Sequence, residues 1–358
     1  MWSIQKMFKR IRISRIAKFV FILAVIAVGL FAYKFGVFDN SPKKGTLTVH
    51  FIDVGQGHAT LLEIHNHYAL IDGGDADSVI ILTEYLEHIG VEKLDYVIAT
   101  HYDTDHLYGI VNIMYRFDVG EILAPEYKVN TKIYRSFRNA LKAIDKTSRQ
   151  PKIGEVIELY DAKLTCVSPV GDEYKDENDY SIGFRIEYGE KSFLICGDAT
   201  RYSEEDMLSN DINIDSDVYL VSHHGSSTSS TKKFLEAVTP AISVISVGTD
   251  NEYGHPTKKV MKRLKAVDSK IYRTDKLGNI IISTNGNNLN VKCDNNKNVF
   301  DASESKKVNY VVNMNSGIYH NKKCDSVADM SKYNKLYFYG TKEELNKMGY
   351  KSCKKCNP

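Results

Sequence analysis

The chain has almost no net charge, since 47 Lys and Arg residues face 45 Asp and Glu residues and leave +2 over 358 residues. The charges are unevenly distributed, however: residues 1–44 carry a net charge of +8 and residues 304–358 one of +6, which leaves −12 for the residues between them. An acidic middle excludes unaided binding of polyanions over the whole surface. Residues 128–152 and 258–276 are locally basic, and each is either a solvated helix face or a phosphate-binding surface.

Long apolar runs are also scarce, and nothing in the chain has the character of a multi-span channel. The run at residues 19–33 lies between Lys18 and Lys34 and, with Phe35 and Phe38, approaches the ~20 residues of a membrane helix. Basic residues precede it, which predicts a cytoplasmic segment 1–18, a single-pass transmembrane signal anchor 19–38 and an extracellular remainder. A cleaved signal peptide is the alternative, but the absence of a small-x-small cleavage site favours the anchor.

Cysteine is infrequent, with six in the chain, and only the last three fall into a pattern. His320-x3-Cys324 and Cys353-x2-Cys356 offer four ligands suited to one tetrahedral structural zinc. They define a predicted zinc module at 308–358, behind a polar linker at 287–307, and so small a domain needs such a crosslink. A disulfide among these cysteines is the alternative outside the cell. The remaining cysteines are expected to be buried thiols: Cys166, Cys196 and Cys293.

The most informative stretch is Thr-His-Tyr-Asp-Thr-Asp-His at residues 100–106, which follows a short apolar run. A strand that ends in such a turn aims imidazoles and carboxylates at one point, an arrangement typical of metal sites. Short apolar strands separated by glycine turns continue to residue 247, with helical spacing at 79–89, and predict a layered α/β domain over 45–286. Three further predicted strands end in Asp72, in Asp198 and in His223-His224.

The motifs DVGQG, LIDGG, THxDxDHxxG, GDA, HHGS and YGHP, in this order, resemble the metallo-β-lactamase superfamily. Within it they are most similar to the hydrolase domain of ComEC-type DNA-uptake proteins, over about residues 46–286. The resemblance implies a four-layer αββα sandwich and activity on a phosphodiester. The carboxyl end is similar to a small Ada-like zinc module found on some secreted nucleases.

The resemblance also implies a centre for two divalent cations, zinc or manganese. His101 and Asp103 would bind one ion, Asp105 and His106 the other, and Asp198 would bridge them. Either His223 or His224 would complete the second ion, while Asp72 and Ser181 would support ligands through hydrogen bonds. The predicted ligands are therefore His101, Asp103, Asp105, His106, Asp198, His223 and His224.

Three positions depart from the superfamily pattern. Asp103 replaces an imidazole, residues 178–181 lack the common histidine before the bridging Asp, and His58 replaces an acid that relatives often have. A site richer in oxygen shifts the preference from zinc toward manganese or magnesium.

For catalysis, Asp105 is expected to accept or relay a proton from water activated by the paired cations. His255 and Ser226 or Ser227 are expected to hold a phosphate oxygen or protonate the leaving group, although His255 could instead be a structural histidine. The sequence therefore predicts a membrane-anchored phosphodiesterase acting on DNA. The alternatives are a hydrolase of cell-wall or lipid-derived phosphodiesters and a non-catalytic DNA-binding component of an uptake apparatus. No protein partner is inferred.

Overall fold

The computed structural model describes residues 45–294, 309–331, 334–338 and 340–358. Among these residues, no helix is both long and apolar enough to cross a membrane. The predicted basic segment and signal anchor, at 1–38, lie outside the described residues, as do residues 295–307 of the predicted linker and residue 308 of the predicted zinc module.

Two large β-sheets form the main body. Its strands, in chain order, are β1 Leu47–Phe51, β2 Thr60–Ile64, β3 His67–Ile71, β4 Lys93–Ile98, β5 Asp118–Leu123, β6 Ser148–Arg149, β7 Val156–Leu159, β8 Ala162–Ser168, β9 Gly183–Tyr188, β10 Lys191–Ile195, β11 Val218–Leu220, β12 Ile242–Ile245, β13 Lys270–Arg273, β14 Asn279–Thr284 and β15 Leu289–Asp294. The first sheet has the order β15-β14-β1-β2-β3-β4-β5-β6 and the second β13-β12-β11-β10-β9-β8-β7.

Helices cover the outer face of each sheet. In chain order they are α1 Val79–Ile89, α2 Thr104–Arg116, α3 Lys132–Ala143, α4 Arg201–Ser209, α5 Lys232–Val238, α6 Lys258–Ala266 and the short α7 Thr274–Leu277. Helices α1 to α3 pack on the first sheet, whereas α4 to α6 pack on the second. The arrangement is the four-layer αββα sandwich that the sequence predicts.

The two-residue periodicity of the strands places the central core between the sheets. Along β1, Leu47, Val49 and Phe51 face this core, and Phe193 and Ile195 of β10 meet them from the opposite sheet. Leu194, between the last two, points instead toward the helices on the outer face. Burial on both faces explains why Phe193 to Ile195 form a continuous apolar run.

The carboxyl-terminal segment adds a small third sheet, ordered β18-β16-β17-β19. Its elements are β16 Tyr310–Asn313, β17 Ile318–Asn321, α8 Asp325–Ala328, β18 Lys335–Phe338, α9 Lys342–Lys347 and β19 Lys351–Ser352. Val312, Tyr319 and Phe338 of this segment belong to the same apolar cluster as α1 to α3. The segment is therefore docked on the helical face of the first sheet and does not stand apart.

The last strand of the first sheet lies within the predicted linker, 287–307. Residues 289–294, predicted as the start of the linker, form β15, which pairs with β14 over its full length. Leu289, Val291 and Cys293 alternate with polar residues and contact the central core. The Asn-rich and Lys-rich composition obscured an edge strand whose outer face meets water.

Candidate metal centre

Parallel pairing brings the ends of four strands to one edge of the sandwich. In the first sheet β3 and β4 run parallel, and in the second β10 and β11 do so. Asp72 follows β3, His101 follows β4, Asp198 follows β10, and a 3-10 turn at Ser222–Gly225 follows β11. The predicted motifs therefore meet although the two from the first sheet lie far along the chain from the two of the second.

Unusual backbone conformations hold these turns. Asp72, His223 and His224 all have positive φ angles, of 58°, 53° and 53°. Gly73 and Gly109 approach so closely that a Cβ on Gly109 would lie 1.9 Å from the Gly73 carbonyl oxygen. The glycine of the HxDxDHxxG motif, Gly109, thus allows α2 to pack directly against the turn after β3.

The imidazoles of His101, His106 and His224 share one orientation, with Nδ1 directed away from the centre and Nε2 toward it. Each donates its Nδ1–H away from the centre: His101 to Thr100 Oγ1 at 3.0 Å, His106 to an oxygen of Asp72 at 2.7 Å, and His224 to the Ser246 carbonyl at 2.8 Å. The Nε2 atoms of all three are buried without a hydrogen-bond partner. Metal-binding histidines show this arrangement, because a hydrogen bond at one nitrogen fixes the tautomer and leaves the other free to bind.

Asp198 lies between these imidazoles. One of its oxygens is 3.3 Å from His106 Nε2, and the other is 3.6 Å from His224 Nε2. The Asp105 carboxylate lies 3.2 Å from His224 Nε2. His223 Nε2 is 3.8 Å from Asp198, and its side chain is 22% exposed against 2% for His224. The geometry favours His224 as the ligand beside Asp105.

The two predicted supporting residues contact their expected partners. Asp72 accepts hydrogen bonds from the backbone and hydroxyl of Thr100 in addition to the bond from His106. Ser181 Oγ accepts a bond from the Asp198 backbone N–H at 3.1 Å. Both therefore orient groups of the cluster without belonging to it.

Other predicted residues lie at the rim. Asp103 is 3.7 Å from His101 Nε2 but 48% exposed. Ser226 hydrogen-bonds Thr228, which in turn contacts His223, so Ser226 is one residue removed from the cluster. The His255 ring lies 5.8 Å from that of His223, measured between ring centroids.

Charges within the cluster are strongly coupled. Burial alone would lower the pKa of His106, but Asp198 and Asp72 outweigh burial and hold it well above its ordinary value. Burial would raise the pKa of Asp198, but His106 and His224 hold it well below the ordinary value. The carboxylates and imidazoles thus favour each other's ionised forms, and protons compete with divalent cations for the same nitrogen atoms.

His58 belongs to this cluster although the sequence analysis gave it no role. It follows the glycine turn between β1 and β2, and its ring centroid lies 4.9 Å from that of His106 and 4.5 Å from that of His224. Burial, with these two imidazoles, holds its pKa well below the ordinary value. The periodicity of the sequence could not identify His58, because a single histidine after a glycine forms no repeating pattern. Its position next to the end of a strand at the same edge of the sheet was the signal that could have indicated it.

Known proteins share this sequence pattern. Residues 52–249 match the family described as the metallo-beta-lactamase superfamily. The chain belongs to the metallo-β-lactamase superfamily. Its relatives include ComE operon protein 3 of Bacillus subtilis, which is 28% identical over 254 residues, or 65% of this chain and 32% of that protein. Competence protein ComA of Neisseria gonorrhoeae is 30% identical over 63% of this chain and 30% of its own length.

Recombination protein 2 of Haemophilus influenzae is 29% identical over 67% of this chain and 29% of that protein. The chain therefore matches about a third of the length of these curated relatives. These matches confirm that the metallo-β-lactamase domain is similar to that of ComEC-type competence proteins, as its motifs indicate.

The superfamily implies divalent metal ions, and the donor set fits them. Ligand atoms of His101, His106 and Asp198 lie within 4.8 Å of one another, as do those of Asp105, His106 and His224. Buried imidazoles without partners and anionic carboxylates are the donors that zinc and manganese accept. The individual ligand assignments stay predictions.

A second cluster lies in the carboxyl-terminal segment. Ligand atoms of His320, Cys324, Cys353 and Cys356 all fall within 4.8 Å of one another. None of these cysteines forms a disulfide in the structure. The Lys355 backbone N–H donates to Cys353 Sγ, which favours the thiolate form. The geometry suits a single tetrahedral ion, and zinc at this position is a proposal.

The three cysteines outside the predicted zinc site differ in how deeply they are buried. Cys166 and Cys196 are buried free thiols, as expected, and burial raises the pKa of Cys166 to about 12. Cys293, on β15, is only partly buried, so the expectation of a buried thiol is wrong for it.

The two basic segments differ in their surroundings. In residues 128–152, Lys132 bonds the Asn334 side chain and Arg149 pairs with Glu121 and Glu155. Part of this positive charge is therefore used within the protein. In residues 258–276, side chains of α6 line a cavity of about 480 Å³, together with Pro256 and Arg273.

Proposed function

We propose that this protein is a metal-dependent phosphodiesterase that cleaves DNA. The observation that carries the proposal is the set of unpartnered Nε2 atoms of His101, His106 and His224 around the carboxylate of Asp198. Two divalent cations, manganese or zinc, held by this cluster would activate water near neutral pH and offset the charge that develops on phosphorus.

Asp105 is suited to accept a proton from the attacking water. Burial would raise its pKa, but the contact with His224 and the nearby His106 lower it below its ordinary value. The carboxylate is therefore ionised at neutral pH, and one of its oxygens already faces the centre. Its position beside the centre suits it to relay a proton, whereas the lowered pKa makes it a weak base on its own.

His255 is suited to hold a phosphate oxygen and not to protonate a leaving group. Half-burial, followed by the nearby His224 and His223, lowers the pKa of His255 to about 4. At neutral pH the ring is uncharged and can donate one hydrogen bond. A cationic acid at this position would need a pKa much nearer 7.

The cavity beside α6 supports a polyanionic substrate. Lys258, Lys262 and Lys265 line it without forming a salt bridge to any described residue. It adjoins the centre because Pro256 forms part of its wall, and the next residue, Thr257, donates its backbone N–H to Gly225 of the histidine turn at 3.0 Å. Lysines in a row next to the centre could hold successive phosphates of a strand.

The relatives named for competence and recombination favour DNA over other phosphodiesters. Membrane anchoring completes the proposal: residues 19–38 would anchor the chain and leave the hydrolase domain outside the cell. Protease added to intact cells should then remove the domain, and protection of the domain until the cells are lysed would contradict this orientation.

Cleavage assays on the full chain in detergent test the activity. End-labelled linear DNA and a small chromogenic phosphodiester would each be incubated with manganese, zinc, magnesium or chelator, beside an Asp198→Asn control. DNA cleavage that requires metal and is lost in the control supports the proposal. Cleavage of the small diester alone would favour a cell-wall or lipid-derived substrate, and DNA binding without cleavage of either would leave a non-catalytic role.

A further inference from the structure

In the described part of the chain, His58 is the buried histidine whose burial is least explained by its own hydrogen bonds. Its side chain is 2% exposed, and neither ring nitrogen has a hydrogen-bond partner. A buried polar group without a partner costs about 1–3 kcal/mol, so native structures rarely keep one without a reason. The buried His50 shows the ordinary solution, since its two ring nitrogens bond Tyr85 and Glu63 at 2.9 and 3.0 Å.

The backbone on both sides of His58 is fixed to the metal-binding turns. His58 N–H donates to the Asp105 carbonyl at 3.1 Å, and Gly74 N–H donates to the His58 carbonyl at 2.7 Å. At the preceding residue, a Cβ on Gly57 would lie 2.4 Å from that same Asp105 carbonyl oxygen. The glycine allows the loop to approach α2 closely enough for the His58 ring to enter the cluster.

The ring meets donor atoms from both sheets. Its Nδ1 is 3.9 Å from an oxygen of Asp198. Ligand atoms of His58, Asp198 and His224 lie within 4.8 Å of one another, and so do those of His58, Asp72 and His106. We propose that His58 is an additional ligand of the metal centre. This inference rests on the proposed function, because it concerns the same pair of cations.

The grouping of donors indicates which cation His58 would bind. The sets that contain His58 contain neither His101 nor Asp105, so ring contacts decide between the two ions. The His58 ring centroid lies 4.5 Å from that of His224, and His224 Nε2 is 3.2 Å from the Asp105 carboxylate. His58 therefore belongs with the ion beside Asp105, and removing its imidazole should weaken that ion and spare the ion beside His101.

Metal binding to the full chain in detergent tests the proposal without reference to catalysis. After dialysis against chelator, calorimetric titration with Mn²⁺ and elemental analysis would give the affinity and number of ions for wild type, His58→Ala and His58→Gln. We expect both variants to bind one ion at least ~100-fold more weakly, with the other ion unchanged, since even outer groups change affinity about 10–100-fold. His50→Ala, which removes a buried histidine outside the cluster, should bind both ions as wild type does.

A spectroscopic measurement covers the case in which the variants do not fold. In wild-type protein with ¹⁵N-labelled histidine, Zn²⁺ should shift a ring nitrogen of His58 together with those of His106 and His224. Wild-type metal affinity in both variants, or an unchanged His58 signal on saturation with Zn²⁺, would overturn the proposal. Absence of DNA cleavage would instead count against the proposed function and leave the metal measurements intact.

Discussion

Phe338→Ala tests whether the carboxyl-terminal segment stabilises the helix that carries Asp105 and His106. Phe338 is 1% exposed and lies in the apolar cluster of α1 to α3, with its ring 6.4 Å from that of Tyr115 on α2. Truncating a buried phenylalanine costs about 3–5 kcal/mol through lost transfer energy and the remaining cavity. Since 1.4 kcal/mol is a factor of ten, amide protection that depends on docking should fall by about two to three and a half orders of magnitude.

Hydrogen exchange followed by mass spectrometry would measure this on peptides spanning residues 104–116. A matched control is Val327→Ala, because Val327 is buried on the cysteine side of the segment and belongs to a different cluster. We expect faster exchange of residues 104–116 in Phe338→Ala and little change there in the control. Local exchange confined to residues 309–358 in Phe338→Ala would refute the argument that the segment and α2 share one core.

Three further perturbations address the centre, the cavity and the pH dependence of stability. His224→Ala should lose one ion, whereas His223→Ala should retain both ions and lose turnover. Elemental analysis would measure the ions and DNA cleavage the turnover. Equal metal loss in both variants would reject His224 as the ligand beside Asp105. Lys262→Ala should reduce the slope of log affinity for DNA against log salt by about 1, while Lys163→Ala, on β8 near the opposite edge of the second sheet, should leave it unchanged. Burial raises the pKa of Glu204 to about 7, so the folded protein holds a proton that the unfolded chain releases near its ordinary 4.5. The contribution of Glu204 to the free energy of unfolding should therefore be fully present below pH 4.5 and be lost as pH rises through 7, by up to ~3 kcal/mol. Urea unfolding at a series of pH values should show that Glu204→Gln lacks this part of the pH dependence. Parallel plots of unfolding free energy against pH for wild type and variant would contradict it.

The sequence predicts the strands that deliver the centre because each is buried on both faces and ends abruptly in polar residues. The apolar run before His101 is β4, and the helical spacing at 79–89 is α1, with the bounds that periodicity indicates. Local pattern suffices for such elements since burial, period and turn chemistry agree.

Docking of the carboxyl-terminal segment could not be predicted in this way. The spacing of His320, Cys324, Cys353 and Cys356 identifies the cluster, but nothing in it reports which other surface the segment covers. That information resides in pairs far apart in sequence, such as Ser136 with Tyr350, whose hydroxyls lie 3.1 Å apart. A small sheet with one apolar face must cover that face with something, and the partner is decided only by the tertiary fold.

The candidate metal centre takes residues from both halves of the sandwich, which has a measurable consequence for stability. His101, Asp105 and His106 come from the first sheet and its helix, whereas Asp198 and His224 come from the second. Cations shared between them would crosslink the layers and bind only the folded state. At a free Mn²⁺ concentration 100 times the dissociation constant, the expected stabilisation is about 2.7 kcal/mol per ion. Thermal unfolding of the full chain should shift upward with added Mn²⁺ in wild type and much less in Asp198→Asn, which keeps the size of the side chain but weakens the bridge. A shift of wild-type size in that variant would mean that the stabilising ions bind elsewhere.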